Sequence, residues 1–214
     1  PPFSSPTFAQ FGWAIILALG AAVLTIVIVE MARASDGVVS RRPFVLMPAV
    51  GLAVAAIAIA FGQITDRNEL AILFSGQEAF GSLFSGDAAL SVATLAVLLL
   101  CKSLAWSLSL GSFRGGPTFP ALFLGAVGGL MAAHLPGMSE TPAVVIVMAA
   151  MAVSILRLPL SAVVVTLLLT ADAGVATAPL AITSTVVAYI ATLSLSAAIQ
   201  KHRDPLTKAS SPGT

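Results

Sequence analysis

Long uncharged apolar runs constrain this chain more than any other feature. Residues 43–65 and 173–200 contain no charged side chain, and residues 11–32 and 88–110 contain one each. Because about 20 apolar residues span the hydrocarbon core of a bilayer, these runs predict four membrane helices. Only 9% of the residues are charged, against roughly 25% in a soluble domain. The sequence therefore predicts an all-α membrane protein in a lipid bilayer.

Shorter apolar runs lie between the long ones. Residues 141–156 and 158–171 are separated by Arg157 and Pro159, and neither spans a bilayer comfortably. Short, proline-interrupted apolar segments indicate broken helices around a central site. Residues 70–87 are also too broken to span, and we expect a short, partly inserted helix there.

Two basic clusters give an expected orientation. Residues 33–42 include three arginines and an Asp-Gly pair, which predicts a loop, and residues 201–203 read Lys-His-Arg. Both clusters are expected on the cytoplasmic side by the positive-inside rule. The number of membrane crossings between the two clusters cannot be counted simply, because the short runs cannot each be counted as a crossing.

The expected organisation has three parts. Residues 1–10 are an N-terminal tail, residues 11–200 a transmembrane helical repeat, and residues 201–214 a polar C-terminal tail. The chain starts with Pro1 and lacks the positive region of a signal peptide. We interpret it as an internal fragment or a trimmed protein.

A glycine- and proline-rich loop precedes one of the predicted helices. Residues 111–120 read Gly-Ser-Phe-Arg-Gly-Gly-Pro-Thr-Phe-Pro, and a helix is predicted over 117–135. Backbone N–H groups and the helix dipole make a helix N-terminus attractive to anions, and glycine lets an ion approach the backbone closely. Transporters use such a start at mid-depth to hold anionic substrates, so we expect residues 111–118 at the interior of the bundle. The simpler alternative is a turn between two membrane helices.

Three further residues, Lys102, Gly125 and Gly129, are notable within predicted helices. Lys102 is costly inside a span, so it is a functional candidate or snorkels to the interface, and both alternatives stay open. Gly125 and Gly129 share one helix face and favour close packing of a neighbouring helix.

Two blocks of sequence resemble the CLC family of chloride channels and chloride/proton antiporters. The first block comprises Lys102-Ser103-Leu104-Ala105, Leu108-Ser109-Leu110-Gly111-Ser112, Gly115-Gly116-x-x-x-Pro120 and Leu122-Phe123-Leu124-Gly125. The second is residues 151–162, with an Arg-x-Pro-Leu core. The resemblance covers about residues 11–207, as the C-terminal half of a CLC subunit.

The resemblance implies the second half of an inverted-repeat helix bundle with broken helices, and a function in transporting chloride or a similar anion. The first repeat, with its gating glutamate, is expected on sequence outside this chain and would be its partner. A homodimer through 159–171 and 178–198 and a bacterial plasma membrane location are also implied.

The resemblance places an anion site in one loop. Its residues here are Gly115, Gly116, Pro117, Thr118, Phe119 and Pro120. The family's loop reads Gly-x-Phe-x-Pro and uses backbone N–H groups, whereas Pro117 has no N–H and Thr118 adds a hydroxyl. Either fewer amides hold the ion, or the hydroxyl replaces one, or the site has shifted.

Three residues outside that loop core are further candidates. Thr207 follows a Pro-Leu pair where the family places a tyrosine whose hydroxyl meets chloride. Lys102 and Arg114 are candidates for a pore or electrostatic role. Pro117 and Thr207 depart from the family's pattern, and these departures point to a divergent branch of the family.

The sequence allows a second function besides transport and disfavours several others. A non-conducting membrane fragment that only packs against helices is the second hypothesis, since Pro117 removes a donor. An enzyme is not predicted, because the sequence has no Cys/His/Asp constellation and no metal-ligand spacing, and no cofactor is expected. The near-absence of basic clusters argues against a nucleic-acid partner, whereas the net charge of +1 argues neither for nor against one. Channel or antiporter, and the anion preferred, stay open.

Overall fold

The computed structural model describes residues 3, 5–73, 83, 90–113 and 115–210, and regular structure in that part of the chain is helical. The helices are α1 (Phe8–Val39), α2 (Pro43–Thr65), α3 (Val92–Ser112), α4 (Thr118–Ala132), α5 (Glu140–Leu156), α6 (Pro159–Leu169) and α7 (Ala178–Ser210). Three short 3-10 turns cover Glu69–Ala71, Ala171–Ala173 and Val175–Thr177.

The predicted long spans are confirmed. Among the described residues, four segments are long and apolar enough to cross a membrane: Phe8–Val39, Pro43–Thr65, Val92–Ser112 and Val175–His202. The second matches its predicted range because Pro43, at the first turn, loses no helical hydrogen bond. The third starts four residues later than expected, where the Ser91 side chain accepts a hydrogen bond from the Thr94 amide at 3.1 Å.

The predicted loop over 33–42 is wrong for most of its length. Helix α1 continues through Asp36-Gly37 to Val39, and only the turn at residues 40–42 separates it from α2. Arg33 pairs with Glu30, which lies on the same helix face three residues earlier. Such a pair favours continuation of the helix. The charged residue Arg33 is therefore not the end of α1.

Two other expected segments differ from the structure. Residues 201–210, expected as tail, belong to α7. Residues 8–10, also expected as tail, are the start of α1. The inserted helix expected over 70–87 falls mostly outside the described residues, which include only 70–73 and 83 of that range.

Helix α5 forms the centre of the bundle. Its residues from Pro142 to Ser154 are all buried, and it packs against α1, α4, α6 and α7. A β-carbon built on Gly125 would lie 2.6 Å from the Met148 α-carbon, and one on Gly129 2.4 Å from the Val144 α-carbon. The two glycines therefore allow α4 to lie directly against α5, as their spacing predicted.

Contacts between helix ends give their directions. Ser35 near the end of α1 is 3.1 Å from Ser112 at the end of α3, measured between hydroxyl oxygens. At the opposite end, the Trp13 indole N–H donates to the Pro136 carbonyl at 3.1 Å. Helices α1 and α3 thus run the same way, and α4 runs the other way.

Contacts between α5 and the helices around it give their relative directions. Thr192 and Ser196 of α7 contact Ser154 and Arg157 of α5 in matching order, so α5 and α7 are parallel. Gly125 and Gly129 of α4 lie against Met148 and Val144 of α5 in reverse order, so α4 and α5 are antiparallel. Trp13 and Thr25 contact Pro136 and Met151 in matching order, so α1 runs the same way as α5 and α7. Both basic clusters therefore lie toward one end of the bundle, which we call the basic end.

Candidate functional site

The start of α4 leaves backbone donors ahead of its first helical hydrogen bond. Pro117 is the N-cap, with φ −81° and ψ −10°, and the first helical bond runs from the Ala121 N–H to the Pro117 carbonyl at 3.3 Å. The amides of Thr118 and Phe119 precede that first donor, and Pro120 has no N–H. Two amides are therefore available for an anion, beside the Thr118 hydroxyl.

The loop before α4 is less buried than predicted. Gly115 and Gly116 are exposed, Phe119 is 42% exposed, and Thr118 is half-buried. The expectation that residues 111–118 lie inside the bundle is thus wrong for the second part of the loop. Burial resumes at Pro120, because the helices that pack on α4 cover its later turns and leave its first turn open.

The first part of the loop is anchored against α1. A β-carbon on Gly111 would lie 2.0 Å from the Ala32 carbonyl oxygen, so only glycine fits this approach. The next residue, Ser112, is buried and hydrogen-bonded to Ser35. These contacts fix the end of α3, from which the loop to α4 departs.

A wide cavity lies beside this anchor at the basic end. It has a volume of about 730 Å³ and is bounded by the end of α1, the start of α2 and the end of α3. Arg33 and Asp36 place charges of both signs on its wall, next to Gly111 and Ser112. Solvent and ions therefore have space to approach the chain within a few residues of the loop.

Comparison with known proteins decides the family. A model of the voltage gated chloride channel family matches residues 3–193, which is most of the chain. The chain belongs to this family. No curated protein and no solved structure matches it.

Membership in the voltage gated chloride channel family confirms the resemblance in the two sequence blocks. The family's members are channels or transporters of anions, and the chain carries the helices to cross a bilayer. It is therefore an integral membrane protein of an anion-transport family.

The structure gives Lys102 a different setting from the snorkelling one. This side chain on α3 is 1% exposed, and its ammonium donates to the carbonyls of Ala71, Ile72 and Leu73 at 3.0, 2.9 and 3.1 Å. The same nitrogen lies 5.2 Å from the ring centre of Phe123 on α4. Lys102 does not reach the interface, so snorkelling is wrong, while its pore or electrostatic role stays a prediction.

Arg114 and Thr207 are the other two predicted site residues. Arg114 falls outside the described residues. Thr207 lies near the C-terminal end of α7, and the Pro-Leu pair before it starts no new helix there. The role of both in anion binding stays a prediction.

Sequence reasoning missed a polar cluster between α1, α5 and α7. The Thr192 hydroxyl donates to Ser154 at 3.0 Å, and the Arg157 guanidinium donates to Ser196 at 3.1 Å. Thr25 on α1 lines the same small cavity, of about 20 Å³. Hydroxyl residues on otherwise apolar helices were the available signal, because in lipid they associate helices through hydrogen bonds.

Proposed function

We propose that this chain transports chloride or a similar anion as one half of a CLC-type subunit, with the ion bound at the start of α4. The observation that carries the proposal is the two amides of Thr118 and Phe119 that precede the first helical bond. The Thr118 hydroxyl is a third donor on the same turn. Together they offset part of the hydration that an anion loses on entering the protein.

Local electrostatics favour a negative ion there. The aligned peptide dipoles of α4 place about half a positive charge at its N-terminus. The first turn, Thr118 to Ala121, carries no acidic side chain that would repel an anion. Glycine at 115 and 116 lets the ion approach the backbone without a side chain in the way.

The remaining part of the binding site is proposed to come from another segment. Gly115, Gly116 and Phe119 are exposed in the described chain, so an ion here would be covered on one side only. A preceding inverted repeat, carrying the gating glutamate, is the segment expected to close this side. Two such subunits form a dimer, in the plasma membrane of a bacterium.

The test is chloride flux and chloride binding by the full-length protein in liposomes, compared with Thr118→Val. Valine keeps the shape and removes the hydroxyl, and a hydrogen bond to a charged group is worth about 1.5–3 kcal/mol. Chloride affinity measured by calorimetry should fall by roughly ten- to a hundredfold. Thr183→Val is the matched control, since its hydroxyl bonds only its own helix, at the Pro179 carbonyl, in the described structure.

Two results would count against this function. Equal chloride affinity in the parent and Thr118→Val would show that the hydroxyl does not hold the ion. A full-length protein that folds but conducts no anion would favour the alternative, a membrane-packing chain without transport activity.

A further inference from the structure

The Lys102 ammonium has three N–H donors, and three consecutive carbonyls surround it. Their oxygens, from Ala71, Ile72 and Leu73, lie 2.9–3.1 Å from the nitrogen, within the range of good hydrogen bonds. These carbonyls lie at the end of the 3-10 turn Glu69–Ala71 and on the two residues after it. The last carbonyls of such a turn lack helical partners. The lysine thus occupies a cage of carbonyls as a cation attached to α3.

The same ammonium also contacts the helix that begins at the anion loop. It lies 5.2 Å from the ring centre of Phe123, a fully buried residue five positions after Thr118. A cation above an aromatic face is attracted by the ring, more strongly when water is excluded. One charged group therefore connects α3, the segment at 71–73 and the first two turns of α4.

We infer that Lys102 is a positioning residue for the anion site, because its caged ammonium sets where the first turns of α4 lie. This inference rests on the proposed function. Without the ammonium, the carbonyls of Ala71, Ile72 and Leu73 lose this donor, the one at Ile72 in a buried position, and Phe123 loses the charge above its ring. Segment 71–73 and α4 would then shift, and the donors at Thr118 and Phe119 would no longer be held in one arrangement.

The central experiment compares Lys102→Met with the parent in the full-length protein. Methionine keeps an unbranched apolar stem and removes the charge and the donors. Calorimetric titration of chloride into the folded fraction should show an affinity about 2- to 30-fold lower, the range for residues that act on a site through a network. Lys201→Met, which removes an exposed lysine from α7, is the matched control and should bind chloride as the parent does.

Chemical rescue separates positioning from general loss of stability. Lys102→Ala removes the three carbons and the ammonium that propylammonium can replace. Added propylammonium should restore chloride affinity in this variant and leave the parent unchanged. Tetramethylammonium carries the same charge without an N–H donor, so it should not restore affinity.

The outcomes distinguish this inference from the proposed function. If Thr118→Val weakens chloride binding and folded Lys102→Met binds as the parent does, the inference is overturned while the proposed function stands. If neither variant changes affinity, the inference is overturned and the Thr118 hydroxyl does not hold the ion; a folded full-length protein that conducts no anion overturns the proposed function itself. Should Lys102→Met not fold, Lys102→Arg decides, because it keeps the charge but its planar guanidinium fits the cage poorly. Parent-like chloride affinity in Lys102→Arg would then overturn the inference.

Discussion

Gly129 and Val144 are in backbone contact across two helices, since a β-carbon on Gly129 would lie 2.4 Å from the Val144 α-carbon. The neighbouring atoms are backbone atoms of buried α5, which cannot rotate away as the end of a side chain can. Van der Waals packing is the main source of helix association in lipid, and small residues permit it. This contact helps to hold α4, and with it the start of the proposed site.

Gly129→Ala should therefore destabilise the fold. Overpacking of a close contact typically costs about 1–3 kcal/mol, although alanine is the better helix former. Gly20→Ala on α1 is the control, because a β-carbon there meets nothing within 4 Å. Thermal unfolding in detergent should show a lower midpoint for Gly129→Ala alone. Equal midpoints for the two variants would mean that α4 and α5 separate easily at this point.

Pro117→Ala should tighten anion binding. The change restores a backbone N–H at the N-cap of α4, next to the amides of Thr118 and Phe119. One added bond to an anion is worth about 1.5–3 kcal/mol, so chloride affinity should rise by roughly tenfold or more. Pro179→Ala, at the start of α7, is the control for losing a proline from a first turn. A weaker affinity in Pro117→Ala, with helix content unchanged by circular dichroism, would contradict the proposed donor arrangement.

The proposed dimer surface can be tested with two tryptophans. Leu168 on α6 is 71% exposed and Ile190 on α7 is 58% exposed, and both lie in stripes of exposed apolar residues. The stripes are Leu160, Val164 and Leu168 on α6 and Ile182, Val186, Ile190 and Leu193 on α7. Leu168→Trp with Ile190→Trp should shift the full-length protein to monomers, because the larger rings prevent close packing of two such surfaces.

The control for that test is an exposed residue on another helix. Leu52→Trp on α2 enlarges a residue that is 73% exposed, away from both stripes. Cross-linking in liposomes should then show dimers for this variant and monomers for the double variant. Dimers in both would place the interface elsewhere. Leu167, although in the same segment, packs against the buried residues Val145 and Ala181 and is unsuitable.

Thr192→Val should weaken the contact between α5 and α7. It removes the donor to Ser154, whose own hydroxyl donates to the Ala150 carbonyl at 2.8 Å. Hydrogen bonds between membrane helices are worth about 0.6 kcal/mol on average, with a maximum near 1.7. A double-mutant cycle with Ser154→Ala, read as the free energy of unfolding in detergent, should give a coupling of this size. Additive effects would show that the bond contributes nothing measurable.

Local spacing predicted some contacts well, because they depend on neighbours along the chain. Gly125 and Gly129 indicated close packing, and the uncharged run 43–65 predicted the range of α2. The end of α1 was predicted wrongly at Arg33, since an arginine paired within its own helix face looks like a loop residue in sequence. The partners of Lys102 lie 29 to 31 residues away, and nothing local to Lys102 indicates them.

The candidate site was predicted only in part, because local sequence predicts the start of a helix but not what covers it. The Gly-Gly-Pro loop predicted a helix start at residue 117, and the helix begins one residue later, at Thr118. Its exposure depends on which other helices cover the loop, which local sequence does not encode.

Helix α4 has 15 residues, so it is about 22 Å long, shorter than the roughly 30 Å hydrocarbon core of a bilayer. If Ala132 lies at one edge of that core, Thr118 would lie several ångströms inside the other. An ion at the proposed site would then have crossed part of the electric field that a membrane potential sets up. Since a full crossing changes the energy of a unit charge by about 2.3 kcal/mol per 100 mV, we expect the occupancy of the proposed site to depend on the voltage across the membrane.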